Sequence, residues 1–173
     1  MFGVMTLSLQ QGDVRLALGL RNANDKSFSF AITVGYRVIV CTNLMFSGDF
    51  SAVVAKKHTK NFELQDTVAL AVERMQRGFE PMGKKIDAWK AHSLSDSLAK
   101  NIIYSAFIED GLPAPKHLAK SVHTAYFEPP YPEFADRSMW SLQNAFTHAF
   151  KELEPIKAIP LTAKLGSFLD RWN

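Results

Sequence analysis

The hydrophobic period of this chain changes once, at Glu63, and that change limits the folds open to it. Before Glu63, apolar residues alternate with polar or small ones, the period of a half-buried strand. Met5, Leu7 and Leu9 alternate with Thr6, Ser8 and Gln10; beyond Gln11 and Gly12, Val14, Leu16, Leu18 and Leu20 alternate with Arg15, Ala17 and Gly19. This pattern predicts a hairpin. Asn22, Asn24 and Asp25 supply the next turn, because short polar side chains bond nearby backbone and tolerate left-handed conformations. Phe28, Phe30, Ile32 and Val34 predict a third strand, and Gly35 leads through Tyr36 into the run Val38 to Cys41, read as a buried central strand. Gly48 and Asp49 turn the chain, and Phe50 to Ala55 return as a neighbouring strand. Four or five strands with short connections imply an antiparallel meander.

After Glu63 the step is three or four residues. Leu64, Val68, Val72, Met75, Phe79, Met82, Ile86 and Trp89 form one stripe of a long helix. Pro81 should kink or split that helix, since proline removes a hydrogen bond and crowds the preceding turn. Ser93 with Asp96 reads as a capping box for a second helix through Ile108, closed by Gly111. A short helix over about His117 to Tyr126 follows, then a proline-rich loop from Glu128 to Asp136. Ser138 caps a helix reaching about Leu153, and Pro160 starts a terminal amphipathic helix. The fold class is therefore α+β: an N-terminal meander of four or five strands, a long helix, and three or four further helices. We expect a single domain over residues 1–173, with a sheet part at 1–59 and a helical part at 60–173.

Composition narrows the function classes. No apolar run reaches the roughly 18 residues that a membrane helix needs, and the N-terminus has neither the basic flank nor the apolar core of a signal peptide. We expect a cytoplasmic protein with no membrane partner. The single Cys41 excludes an intramolecular disulfide and any multi-cysteine zinc site, and its place in a strand reads as a buried thiol. The net charge of +3 is unevenly spread: residues 1–62 hold seven Lys/Arg against three acids. A polyanion can lie on such a surface; a solvated sheet edge guarded by lysines has the same composition.

The helix from Ser138 carries two stripes. Leu142, Phe146, Phe150 and Leu153 make an apolar face, while Trp140, Asn144, Thr147 and His148 lie opposite, so the helix is expected to be covered on both sides. Asn144 can then meet Asn43 and His58 at the strand ends, with Asp25 close by. Asn22, Asp25, Asn43, His58, Asn144 and His148 are the candidate polar cluster. They have the groups for general base catalysis and oxyanion stabilisation, and equally those of a structural hydrogen-bond network. No two histidines stand at a metal-ligand spacing, and neither metal nor cofactor is assigned.

Four blocks resemble one family: Arg21 to Ser27, Arg37 to Asn43, Lys57-His58-Thr59, and Met139 to Thr147. In order and spacing, from about residue 15 to 152, the chain is similar to the phage and plasmid-like domain of unknown function number nine hundred thirty-two. That resemblance implies a mobile-element setting and a sheet-plus-helices fold, and a longer N-terminal segment usual in the family is expected to be missing here. Asn24 stands where the family commonly has His, Lys26 where it has Gly, and His148 where an acid usually follows. These departures count against transferring any chemistry to the chain.

Three functional readings stand. The first is a non-enzymatic nucleic-acid-binding protein, acting on single strands as a homo-oligomer through Tyr36, Arg37, Lys56, Lys57 and Lys60; strand-tracking grooves need cations for phosphates and aromatic faces for bases. The second is an enzyme using the Asn/Asp/His cluster. The third is an adaptor or inhibitor directed at a host protein, using the loop from Glu128 to Asp136 and the terminal helix.

Overall fold

A computed structural model describes residues 2–23, 25, 29–46, 54–56, 63–109 and 111–172, and in it the change of period at Glu63 separates strands from helices. The chain forms two compact units, Met1–Gly83 and Lys84–Asn173. The division falls inside one helix.

The first unit is built on an antiparallel sheet. Strands β1 (Phe2–Gln11) and β2 (Val14–Arg21) form the expected hairpin, with Gly12 at φ 53° in its two-residue loop. Glycine takes that left-handed conformation without a Cβ penalty. β2 pairs with β3 (Phe30–Val38) from Val14↔Val38 to Arg21↔Ala31. The short strands β4 (Leu44–Phe46) and β5 (Val54–Lys56) both pair antiparallel with β3, so they lie in line along the edge that β2 leaves open. Among the described residues the sheet thus has five strands, within the expected four or five, although β4 is not among those the alternation marks.

Residues directly opposite in an antiparallel ladder share a face. One face holds Val14, Leu16, Val34, Tyr36, Val38 and Met45, all buried. The other carries the small residues Ala17, Gly19, Ala31 and Gly35, and the Phe46 ring fills the hollow they leave. A Cβ on Gly19 would stand 2.9 Å from that ring, and one on Gly35 would stand 2.0 Å from the Met45 carbonyl oxygen.

Two strand boundaries differ from expectation. The third and fourth expected strands are a single strand, β3, and the run Val38 to Cys41 is not a central strand. It turns at Ile39, with Ile39 and Val40 exposed and Cys41 buried. The ladder stops because β2 begins at Val14: the Ile39 N–H finds Asp13 O in the preceding turn, and Val38 N–H closes the new loop on Asn43 O at 2.8 Å.

Helix α1 (Leu64–Ala91) is continuous through Pro81 rather than split. Pro81 is exposed, so the Arg77 carbonyl it leaves unserved lies on the solvent side. Among the described residues from Leu64 to Gly78, Thr67, Ala71 and Gly78 are buried, whereas of the expected stripe Val68 is exposed and Val72 half-buried; the side chains of Leu64 and Met75 are not among those described. At Gly83 the side-chain amide of Gln11 occupies the space of a Cβ.

The second unit is helical. Ser95, not Ser93, caps α2 (Asp96–Phe107), its Oγ accepting from Leu98 N–H at 3.2 Å. Ser93 instead forms a β-bridge with Ser138, flanked by Leu94 N–H to Arg137 O and Met139 N–H to His92 O, each 2.8 Å. Next come α3 (Leu118–Phe127), a 3₁₀ turn at Pro132–Phe134, and α4 (Met139–Ala149). α5 (Pro155–Leu169) starts five residues before the expected Pro160. Pro155 takes the first helical position, where no N–H is needed; Pro160 and Ile156, four residues apart, are both exposed, so the freed carbonyl meets water.

Candidate functional site

The sequence candidates fall in both units. In the first unit, Arg37 is half-buried on β3 and directly opposite Arg15 on β2. Opposed residues in such a ladder have Cα atoms about 4.5–5.5 Å apart. Arg15 is exposed and its Nε donates to Gln10 Oε1 at 3.4 Å, from the position that faces it on β1. Among the described residues neither guanidinium meets a carboxylate, and Arg37 Nε is buried without a hydrogen-bond partner. Like charges placed directly opposite destabilise a sheet. Guanidinium groups have planar forks that match the oxygens of carboxylates and phosphates.

Tyr36 is corrected from a nucleic-acid-facing residue to a core residue. It is 2 % exposed, paired between Leu16 and Met45 on the apolar face, so its ring is not offered to a base. Asn43 is buried at the end of the β3–β4 loop, next to Thr42 at φ 56°; Asn22 is half-buried just after β2, and Asp25 is exposed. Lys56 is the last residue of β5, opposite Phe30. His58, Lys57 and Lys60 lie outside the described residues, as do Asn24 and Lys26.

In the second unit the polar candidates sit on α4, which is buried all round from Met139 to Thr147 as its two stripes predicted. Two of its polar side chains, Asn144 and Thr147, bond back to the helix backbone. Asn144 Nδ2 donates to Trp140 O at 3.0 Å, and Thr147 Oγ1 reaches the carbonyls of Gln143 and Asn144, each at 3.2 Å. Burial, with Lys151 adding to it and Glu152 opposing, holds His148 below the ordinary imidazole pKa.

A junction that sequence reasoning passes over stands at the start of α4. Asp136 Oδ1 accepts from Ser138 N–H, from Ser138 Oγ at 2.9 Å and from Ser141 Oγ, while Ser138 Oγ caps the helix through Ser141 N–H. Arg137, at φ 56°, sends its guanidinium to the carbonyls of Tyr126 and Phe127 at the end of α3. A cation on those last carbonyls complements the helix dipole. Burial pushes the Tyr126 phenol up to about 12, against the lowering pull of Arg137. In the sequence Asp136 and Arg137 look only like the end of a connection, and the signal that could find them is their position one and two residues before the Ser138 cap.

Residues 5–164 match the family described as Domain of unknown function (DUF932). The chain belongs to the DUF932 family. Comparison with curated proteins and with solved structures found no match. The DUF932 region contains both the opposed arginines of the sheet and the buried polar face of α4. Among its described residues no three His, Cys, Asp or Glu side chains gather as a metal site, and no helix is long and apolar enough to cross a membrane.

Proposed function

We propose that this chain is a non-enzymatic nucleic-acid-binding protein of a phage or plasmid, holding single strands on the basic sheet of its first unit and acting as an oligomer that repeats a weak site. The observation that supports this reading is the Arg15–Arg37 pair, two cations opposed on neighbouring strands with no acid between them among the described residues. In the sequence, Lys56, Lys57 and Lys60 belong to the same stretch, residues 1–62, that carries the excess of basic side chains. The donors of Asn144 and Thr147 are engaged with the backbone of α4, which supports a structural role for that polar face rather than a catalytic one.

The test is fluorescence anisotropy of labelled single-stranded and duplex oligonucleotides over a salt series. Each phosphate neutralised contributes about −0.7 to the log–log slope on a single strand, so binding weakens steeply with salt. Replacing Arg15 and Arg37 with Gln flattens the slope. A wild-type protein that binds no oligonucleotide at about 50 mM salt, where counterion release is still strongly favourable, refutes the reading.

A further inference from the structure

The hairpin of α2 and α3 presents a second surface on which aromatic and cationic groups are interleaved. Lys100 near the start of α2 lies over the ring of Phe127 at the end of α3, its Nζ 5.4 Å from the centroid. The connecting loop joins the other two ends, so the helices run antiparallel. One turn along each helix, on the same face, stand Tyr104 and His123. Tyr104 is 52 % exposed, Ile108 one turn further is 45 % exposed, and His123 and Lys120 are also exposed. His123 packs against Phe127 with ring centroids 4.5 Å apart, which steadies the imidazole at the surface. No acid occurs in α3 from Leu118 to Phe127; Asp96 and Glu128 bound the strip at one end and Glu109 at the other.

We propose that this strip is a short docking site for single-stranded nucleic acid, with a base stacked on Tyr104 and the flanking phosphates on Lys100 and Lys120. The proposal rests on the nucleic-acid reading and adds a site in the second unit. Charge decides the occupant: the exposed rings are bracketed by cations, as strand-binding platforms require, and the carboxylates at both ends limit the site to a few nucleotides. Stacking tolerates any base, so the strip adds affinity without reading sequence.

Anisotropy of the full-length protein with a labelled oligonucleotide tests it, beside a labelled acidic amphipathic peptide as the competing occupant. Tyr104→Ala should weaken strand binding roughly five- to a hundredfold at unchanged salt slope, while Tyr104→Phe retains it. Lys100→Gln with Lys120→Gln should make the slope shallower by about 0.7 for each phosphate that is no longer neutralised. Tyr104→Ala binding the strand as wild type does, while Arg15→Gln and Arg37→Gln weaken it, overturns the second site and leaves the sheet reading intact. Peptide binding abolished in Tyr104→Ala, with strand binding unaffected, also overturns it in favour of a protein partner. A wild type that binds no strand overturns both.

Discussion

Arg15 and Arg37 face each other across neighbouring strands, one exposed and one half-buried, on the face of the sheet that carries its small residues. A cross-strand pair of like charge is a local cost that an uncharged pair avoids. Arg15→Glu should therefore raise stability by about 0.2–1 kcal/mol, by turning repulsion into attraction, while lowering affinity for single strands. Thermal melts and anisotropy on the same variant check both halves. A variant less stable than wild type contradicts the electrostatic account of the pair.

Gly35 and Gly83 are both close-approach glycines, and they should respond differently to alanine. At Gly35 the obstacle is the Met45 backbone, 2.0 Å from the position of a Cβ; at Gly83 it is the end of the flexible Gln11 side chain. Gly35→Ala should cost about 1–3 kcal/mol by forcing β3 and β4 apart. Gly83→Ala should cost less, and pairing it with Gln11→Ala should recover part of the loss. Urea denaturation of the three variants measures the order, and a Gly35→Ala protein of wild-type stability refutes the close approach.

Ser138→Ala removes the cap of α4 and one partner of Asp136 together. A loss of about 1–2 kcal/mol is expected, at the upper end of helix capping because the residue is buried. Ser95→Ala, at the exposed cap of α2, should cost less. Equal midpoints for the two variants would count against the Asp136 junction.

The His148 imidazole is held below its ordinary value in the folded chain, chiefly by burial. The unfolded chain therefore binds more protons near pH 6, and the stability linked to this residue is full above about 6.5 and lost as pH falls toward the folded value. Wild-type stability should drop more between about pH 7.5 and 5.5 than that of His148→Gln. Parallel pH profiles for the two proteins would show that His148 titrates normally.

Much of the architecture is legible in the sequence because it depends on local period. Alternation in residues 5–20 specifies the first hairpin; the loop at Gly12 sets its register at Gln11↔Val14 and Gln10↔Arg15, and an irregularity between Thr6 and Gln10 shifts it beyond them. The three- and four-residue steps after Glu63 specify α1, and two stripes on one helix mark α4 as enclosed. Where local pattern misleads, a neighbour decides. Val38 to Cys41 has the composition of a strand, yet the strand ends at Val38 because β2 supplies no partner beyond Val14. Tyr36 has the chemistry of a stacking platform, but the parity of β3 turns it into the core. Ser93 and Ser95 are both able to cap a helix, and the pairing of Ser93 with Ser138 leaves the cap to Ser95. The opposition of Arg15 and Arg37 belongs to neither local pattern. It arises from the register between residues 22 positions apart in the chain, which hydrophobic burial across the whole sheet sets and no short stretch of sequence contains.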